Sequence, residues 1–183
     1  MLTIRQARPS DCENICRVHR AAILQTCVAA YGEDAARKWA GLLRPESYPP
    51  VIASRFLVVA EDAGSLLGFG QFDSNTGEVE AIYVDPPAEK RGIGSALMVI
   101  IEEQARANGH ATLRLRATTN AEHFYVRAGF VATGADQYAL SDDMKLPCIK
   151  MEKILHYTEP RPERRRNGNG GGQQVDLDGS ADA

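Results

Sequence analysis

The stretch Val84-Asp-Pro-Pro-Ala-Glu-Lys-Arg-Gly-Ile-Gly-Ser-Ala-Leu97 holds the residues best suited to chemistry. A strand pattern ends at Val84, a short loop rich in proline and charge follows, and a helical pattern starts within Arg91–Ser95. Gly92 and Gly94 allow close approach of a ligand to the backbone. The first amides of a helix have no intrahelical partner and sit at the positive end of its dipole. A turn of this kind binds phosphate or pyrophosphate. Two glycines spaced by one residue also suit any crowded helix start, so the motif gains its weight from context. It is not the dinucleotide fingerprint GxGxxG, because Leu97 stands at the third glycine, and it is not a Walker loop, because no GK[ST] follows.

Just upstream, Glu78 and Glu80 stand two apart in a strand pattern and share one face. Such a pair can move a proton, or it can be an ordinary solvated or salt-bridged strand charge; the residues alone leave both open. His19, His110, His123 and His156 are scattered and suggest no metal cluster. Cys12, Cys16, Cys27 and Cys148 contain no CxxC pair and read as reduced, mostly buried thiols. No metal is expected.

The elements that must position these residues follow from periodicity. Residues 2–8 alternate as a half-buried strand. Ser10 and Glu13 have capping-box spacing ahead of a helix from about Asp11 to Ala30, and a second helix covers Glu33–Leu43. Pro45, Pro49 and Pro50 mark a loop. Arg55–Glu61, Leu66–Phe72 and Glu78–Val84 form an antiparallel meander joined by glycine turns. A helix over Gly92–Ala107 stops at Asn108–Gly109, and Ala111–Arg116 is the next strand. A short helix spans Asn120–Arg127, with Asn120 as its cap, and Phe130–Leu140 and Lys145–Lys153 make a closing antiparallel pair. This order predicts an α/β fold with a mixed sheet.

The 183 residues suit one domain over 1–156 plus a tail over 157–183, whose arginine, glycine and glutamine content predicts disorder. A net charge of -3 gives no general reason for nucleic acid or an anionic membrane as partner. The arginines at 161 and 164–166 read as solvated. The N-terminus lacks an apolar signal core, and the apolar runs are too short to cross a membrane. A cytoplasmic location is the expectation.

The loop and its surroundings resemble the GNAT superfamily, the GCN5-related N-acetyltransferases. Val84, Pro86, Glu89, Gly92 and Gly94 match that family's pattern V-x-P-x-x-[QR]-x-x-G-x-[GA], and Ala121-x-x-x-Tyr125-x-x-x-Gly129-Phe130 matches its closing signature. The resemblance covers roughly residues 2–155. Two departures stand out: Glu89 occupies the usual Gln/Arg position and is expected to turn outward, with Arg91 or Lys90 supplying positive charge, and Thr118 stands where many members have Asn.

The resemblance implies a mostly antiparallel sheet flanked by helices, with splayed central parallel strands that admit acetyl-coenzyme A as cosubstrate. Backbone groups of Ile82, Tyr83 and Val84 would pair with the pantetheine arm. The helix start at Arg91, Gly92, Ile93, Gly94, Ser95 and Ala96 would hold the pyrophosphate, and Asn120 would touch the cofactor. Tyr125 would protonate the departing thiolate. Glu80, or Glu78 from further off, would deprotonate a primary amine that attacks directly in a ternary complex. His19, Tyr31 and Trp39 are core residues first and candidates for the acceptor wall second. The acceptor is unnamed, and the protein would be a monomer or a homodimer. A non-catalytic acyl-coenzyme A sensing module on the same fold would keep Gly92 and Gly94 but would not need Tyr125.

Overall fold

Period-two alternation of apolar residues builds one sheet with two packed faces. The computed structural model describes residues 1–141 and 143–155. The tail expected to be disordered lies outside them. The strands are β1 (Thr3–Gln6), β2 (Phe56–Asp62), β3 (Ser65–Asp73), β4 (Glu78–Val84), β5 (Thr112–Thr118), β6 (Val131–Ser141) and β7 (Met144–Ile154), in the order β1-β2-β3-β4-β5-β7-β6. Neighbours run antiparallel except β4 and β5, which are parallel. The expected mixed, mostly antiparallel sheet with one central parallel pair is what the chain forms.

Helices cover both faces. Helix α1 (Cys12–Ala22) sets Cys12, Ile15, Cys16 and Val18 against Leu57, Val59 and Phe69. On the opposite face α5 (Ile93–Ala107) lays Met98, Ile101 and Ala105 on Phe72, Val79 and Leu113. That second core continues into Tyr125 of α6 (Glu122–Arg127) and Phe130.

Several local expectations give way to competing chemistry. The long first helix is not uniform: a π-helical turn, Ile23–Cys27, separates α1 from α2 (Val28–Tyr31). Within it the Thr26 hydroxyl donates to the Ala22 carbonyl at 2.7 Å, a back-bond that competes with the regular ladder. The Ser10–Glu13 capping box does not form. Asp11 instead accepts the Arg8 amide at 2.7 Å and a fork from Arg5, and the Arg5 bond holds its carboxyl below the usual range. The proline loop after α3 (Glu33–Leu42) contains a 3-10 turn at Pro45–Ser47 and a helix, α4 (Tyr48–Ser54). Pro49 and Pro50 fall in the first turn of α4, where an amide has no intrahelical partner to lose.

One ion cluster ties together the elements behind the central strands. Lys153 of β7 donates to Glu102 of α5 at 2.5 Å and to the Ala128 carbonyl, at the end of α6, at 2.6 Å. Arg106 reaches the same carboxylate at 3.1 Å. Glu102 is 9% exposed, so stripping one cation leaves a poorly solvated charge. Lys153→Met should lower stability by about 2–3 kcal/mol, read from the urea midpoint at neutral pH. An unchanged midpoint would remove the cluster from the list of structural ties.

Candidate active site

The parallel pairing of β4 with β5 is brief: Glu78 faces Arg114 and Val79 faces Leu115, and no pairs follow. Beyond Val79, β4 stays on β3 while β5 stays on β7, so the two strands part. On the β3 side the register slips, with Gln71 opposite Ala81 but Phe72 opposite Val79, which leaves Glu80 as an extra residue. A bulge of this kind bends its strand. The splay therefore begins at Glu80.

A cleft of about 500 Å³ opens between the diverging strands. Ile82, Tyr83 and Val84 line it from β4, and Gly92, Ile93, Gly94 and Ser95 from the start of α5. Glu80, Asn120 and Tyr125 complete the expected residues found there. Gly92 has φ 80°, a left-handed conformation that favours glycine, and no side chain caps the helix it precedes. The first helical bond is donated by Ala96 to the Gly92 carbonyl, so the amides of Ile93, Gly94 and Ser95 have no intrahelical acceptor. A Cβ on Gly94 would lie 3.2 Å from the Phe124 ring, so this glycine also seats α5 against α6.

Arg91 and Ala96 are not in the cleft wall. The Arg91 guanidinium turns to Asp62 at 3.3 Å, and Lys90 and Glu89 border the cleft instead. Glu89 thus does not turn fully away, and Lys90 is the nearer cation. Asn120 does not cap α6: the cap position is Ala121, without a side-chain bond, and Asn120 lines the cleft together with Cys27.

Burial pushes the Tyr125 phenol above its usual pKa, and it also raises the Cys27 thiol. Tyr125 is 8% exposed, stacked edge-on against Phe124 and Phe130.

A second cavity of about 320 Å³ adjoins the first on the α1 side of the sheet. His19, Tyr31 and Trp39 all line it, as do Glu78 and Glu80. Glu78 is bridged by Arg116 at 3.0 Å. Glu80 accepts Arg55 at 3.0 Å and Gln71 at 2.5 Å. Burial lowers the His19 imidazole to about 3, so it is neutral; its Nδ1 lies 3.0 Å from the Tyr48 hydroxyl and its ring 4.1 Å from that of Tyr83. Glu80, Ala81, Tyr83, Arg116 and Thr118 border both cavities.

Arg116, Tyr138 and Cys27 are wall residues that sequence reasoning missed. The alternation in Thr112-Leu-Arg-Leu-Arg116 was the available signal, since it sets Arg114 and Arg116 on the face opposite the core residues Leu113 and Leu115. Nothing comparable marked Tyr138, on a strand whose residues are almost all exposed.

The sequence pattern of the acetyltransferase (GNAT) domain matches residues 27–155. The chain belongs to this family. Solved GNAT-type structures share the fold. A GCN5-related N-acetyltransferase from Rhodopseudomonas palustris superposes with a TM-score of 0.78 at 23% identity, covering 84% of this chain and 95% of that one. The PaiA N-acetyltransferase of Thermoplasma acidophilum, solved with coenzyme A, gives 0.71 at 20% identity, over 84% and 99%. YncA of Salmonella typhimurium, solved with acetyl-CoA, gives 0.59 at 21% identity, over 89% and 99%. No curated protein matches the sequence. Among the described residues no group of His, Cys, Asp and Glu could hold a metal, and no helix is long and apolar enough to cross a membrane.

Ser95 offers a clean test of the helix start. It is exposed, lies in the first turn of α5 and lines the cleft. An aspartate there favours the helix dipole by about 0.3–1 kcal/mol, yet would repel a phosphate. Ser95→Asp should keep or raise thermal stability while weakening coenzyme A binding at least about tenfold by calorimetry. Undiminished affinity would move the phosphate site elsewhere.

Proposed function

We propose that the protein transfers an acetyl group from acetyl-coenzyme A to a primary amine by direct attack in a ternary complex. The observation that carries this reading is the wall shared by the two cavities. Two ligands entering from opposite sides meet at Glu80, Ala81, Tyr83, Arg116 and Thr118. Membership of the acetyltransferase family supports it, as do the coenzyme A and acetyl-CoA held by the structural neighbours.

The cleft suits this cosubstrate. Free amides at Ile93, Gly94 and Ser95, with Lys90 nearby, fit a pyrophosphate. Along Ile82–Val84 the β4 edge facing β5 has no strand partner, so an extended amide-bearing arm can add to it as a strand would.

The chemistry needs a proton removed and a proton supplied. An alkyl ammonium with an ordinary pKa of about 10.4 must lose a proton before its nitrogen can attack. Glu80, on the shared wall, takes it directly or through water; Glu78 lies two residues further along and acts from a greater distance. The nitrogen then bonds to the thioester carbonyl carbon, the C–S bond breaks, and the electron pair leaves on sulfur. The Tyr125 phenol donates to that sulfur. Its raised pKa keeps it protonated until the thiolate forms.

Tyr125→Phe keeps the ring and removes the donor. Turnover at saturating acetyl-coenzyme A should fall at least about tenfold with little change in cofactor affinity. Because burial raises the phenol above its ordinary value of about 10, the wild type should show no alkaline loss from this group below about pH 9.5. Equal turnover in the variant, with chemistry limiting, would reduce Tyr125 to packing.

The carboxylates separate by profile. Glu80→Gln should abolish the acidic limb of the pH–rate curve, and Glu78→Gln should chiefly raise the KM of the amine. If neither substitution alters rate, KM or profile, a water chain to another group does the work.

A further inference from the structure

We propose that the acceptor is a small primary monoamine with an apolar, ring-sized body and no carboxylate. This rests on the second cavity being the acceptor site. Its volume of about 320 Å³ lies at the lower end of the range for ligand pockets, about 300–1,000 Å³.

The cavity lining has a polar part and an apolar part. The amine must point toward the shared wall, where the carboxylate of Glu80 stands and where the thioester arrives. Trp39, Leu43, Leu140 and Leu146 pack together as an apolar part of the lining, with Leu42 beside them. Among the described lining residues, the only acids are Glu78 and Glu80, both in the polar part. A polyamine would have to bury its second ammonium against leucine and tryptophan without a counter-charge, which is costly. The aromatic rings of Tyr31, Tyr83 and Tyr138 line the flanks and suit a flat or branched apolar body.

Among the described lining residues, a carboxylate on the acceptor finds no free cation. His19 is neutral, and Arg116 already directs both Nε and Nη2 to one oxygen of Glu78, at 3.2 and 3.0 Å. A free amino acid would have to displace that pair and then lie beside the Glu78 carboxylate.

A protein side chain is disfavoured by the β6 and β7 residues that border the cavity. Leu146, with Leu140 and Met144 beside it, packs onto Trp39, Ala36 and Ala40 of α3. Leu140 of β6 and Leu146 of β7 therefore border the cavity, and Tyr31 fastens β7 further by donating to the Pro147 carbonyl at 2.8 Å. A polypeptide carrying its lysine into this space would need an open groove where these residues of β6 and β7 stand.

The test uses the full chain with saturating acetyl-coenzyme A and measures thiol release. The panel is 2-phenylethylamine, n-hexylamine, spermidine, L-phenylalanine and a lysine peptide with a blocked N-terminus. The two monoamines should exceed the other three in kcat/KM by at least about tenfold. If spermidine, phenylalanine or the peptide equals or exceeds them, the acceptor assignment is overturned while acetyl transfer stands. If no amine releases thiol, the assignment is also overturned, and calorimetry with acetyl-coenzyme A then decides the wider reading, which falls only if the cosubstrate does not bind. Leu42→Glu gives a second readout. Leu42 is 48% exposed at the cavity rim, so the change spares the core. It should lower kcat/KM for 2-phenylethylamine at least about fivefold, raise that for 1,6-hexanediamine, and leave the KM of acetyl-coenzyme A unchanged. Unaltered preference between the two amines would place the apolar part outside the binding site.

Discussion

The separation of β4 from β5 is the constraint from which the rest of the structure follows. A central parallel pair normally stays zipped, because unpaired backbone groups inside a sheet are costly. Here the pairing lasts two residues and stops. The bulge at Glu80 turns β4 away while leaving it bonded to β3, and β5 is held by seven consecutive pairs with β7. Each strand keeps one satisfied edge, and the edges that face each other are left to line a cleft. A sheet that was regular at this point would have no room between its strands for a ligand.

The parting also brings two helices together beneath the gap. Helix α5 begins where β4 and its loop deliver it, and α6 begins just past the end of β5. Gly94 lets the Phe124 ring approach within contact distance, and the Glu102–Lys153 pair with the Ala128 carbonyl fastens the same two helices from behind. The free amides at one helix start and the phenol of Tyr125 on the other are thereby fixed relative to each other. Neither depends on a flexible loop for its place.

Much of this was legible in the sequence because the governing signals are local. Alternation gave all seven strands, the glycine pair gave the start of α5, and the spacing from Ala121 to Phe130 gave the second signature. Some misreadings turned on contacts between residues distant in sequence. Arg91 looks like a phosphate ligand until Asp62, across the sheet, claims it. The bulge at Glu80 is invisible in Glu-Val-Glu-Ala, because it exists only as a difference in register against β3. The prolines at 49 and 50 misled for a different reason: they break a helix in its middle and are tolerated in its first turn.

Cys27 has a consequence for the fidelity of the cleft. A cysteine beside a thioester is a competing nucleophile, and as a thiolate it would capture an acyl group and strand it on the protein. Cys27 is 1% exposed, and burial is the main cause of its raised pKa. It therefore stays a neutral thiol, a poor nucleophile and a poor partner for disulfide exchange with a departing coenzyme. The same desolvation that keeps Tyr125 protonated keeps Cys27 inert, so in the proposed reaction one dry wall would serve both proton donation and protection from self-acylation.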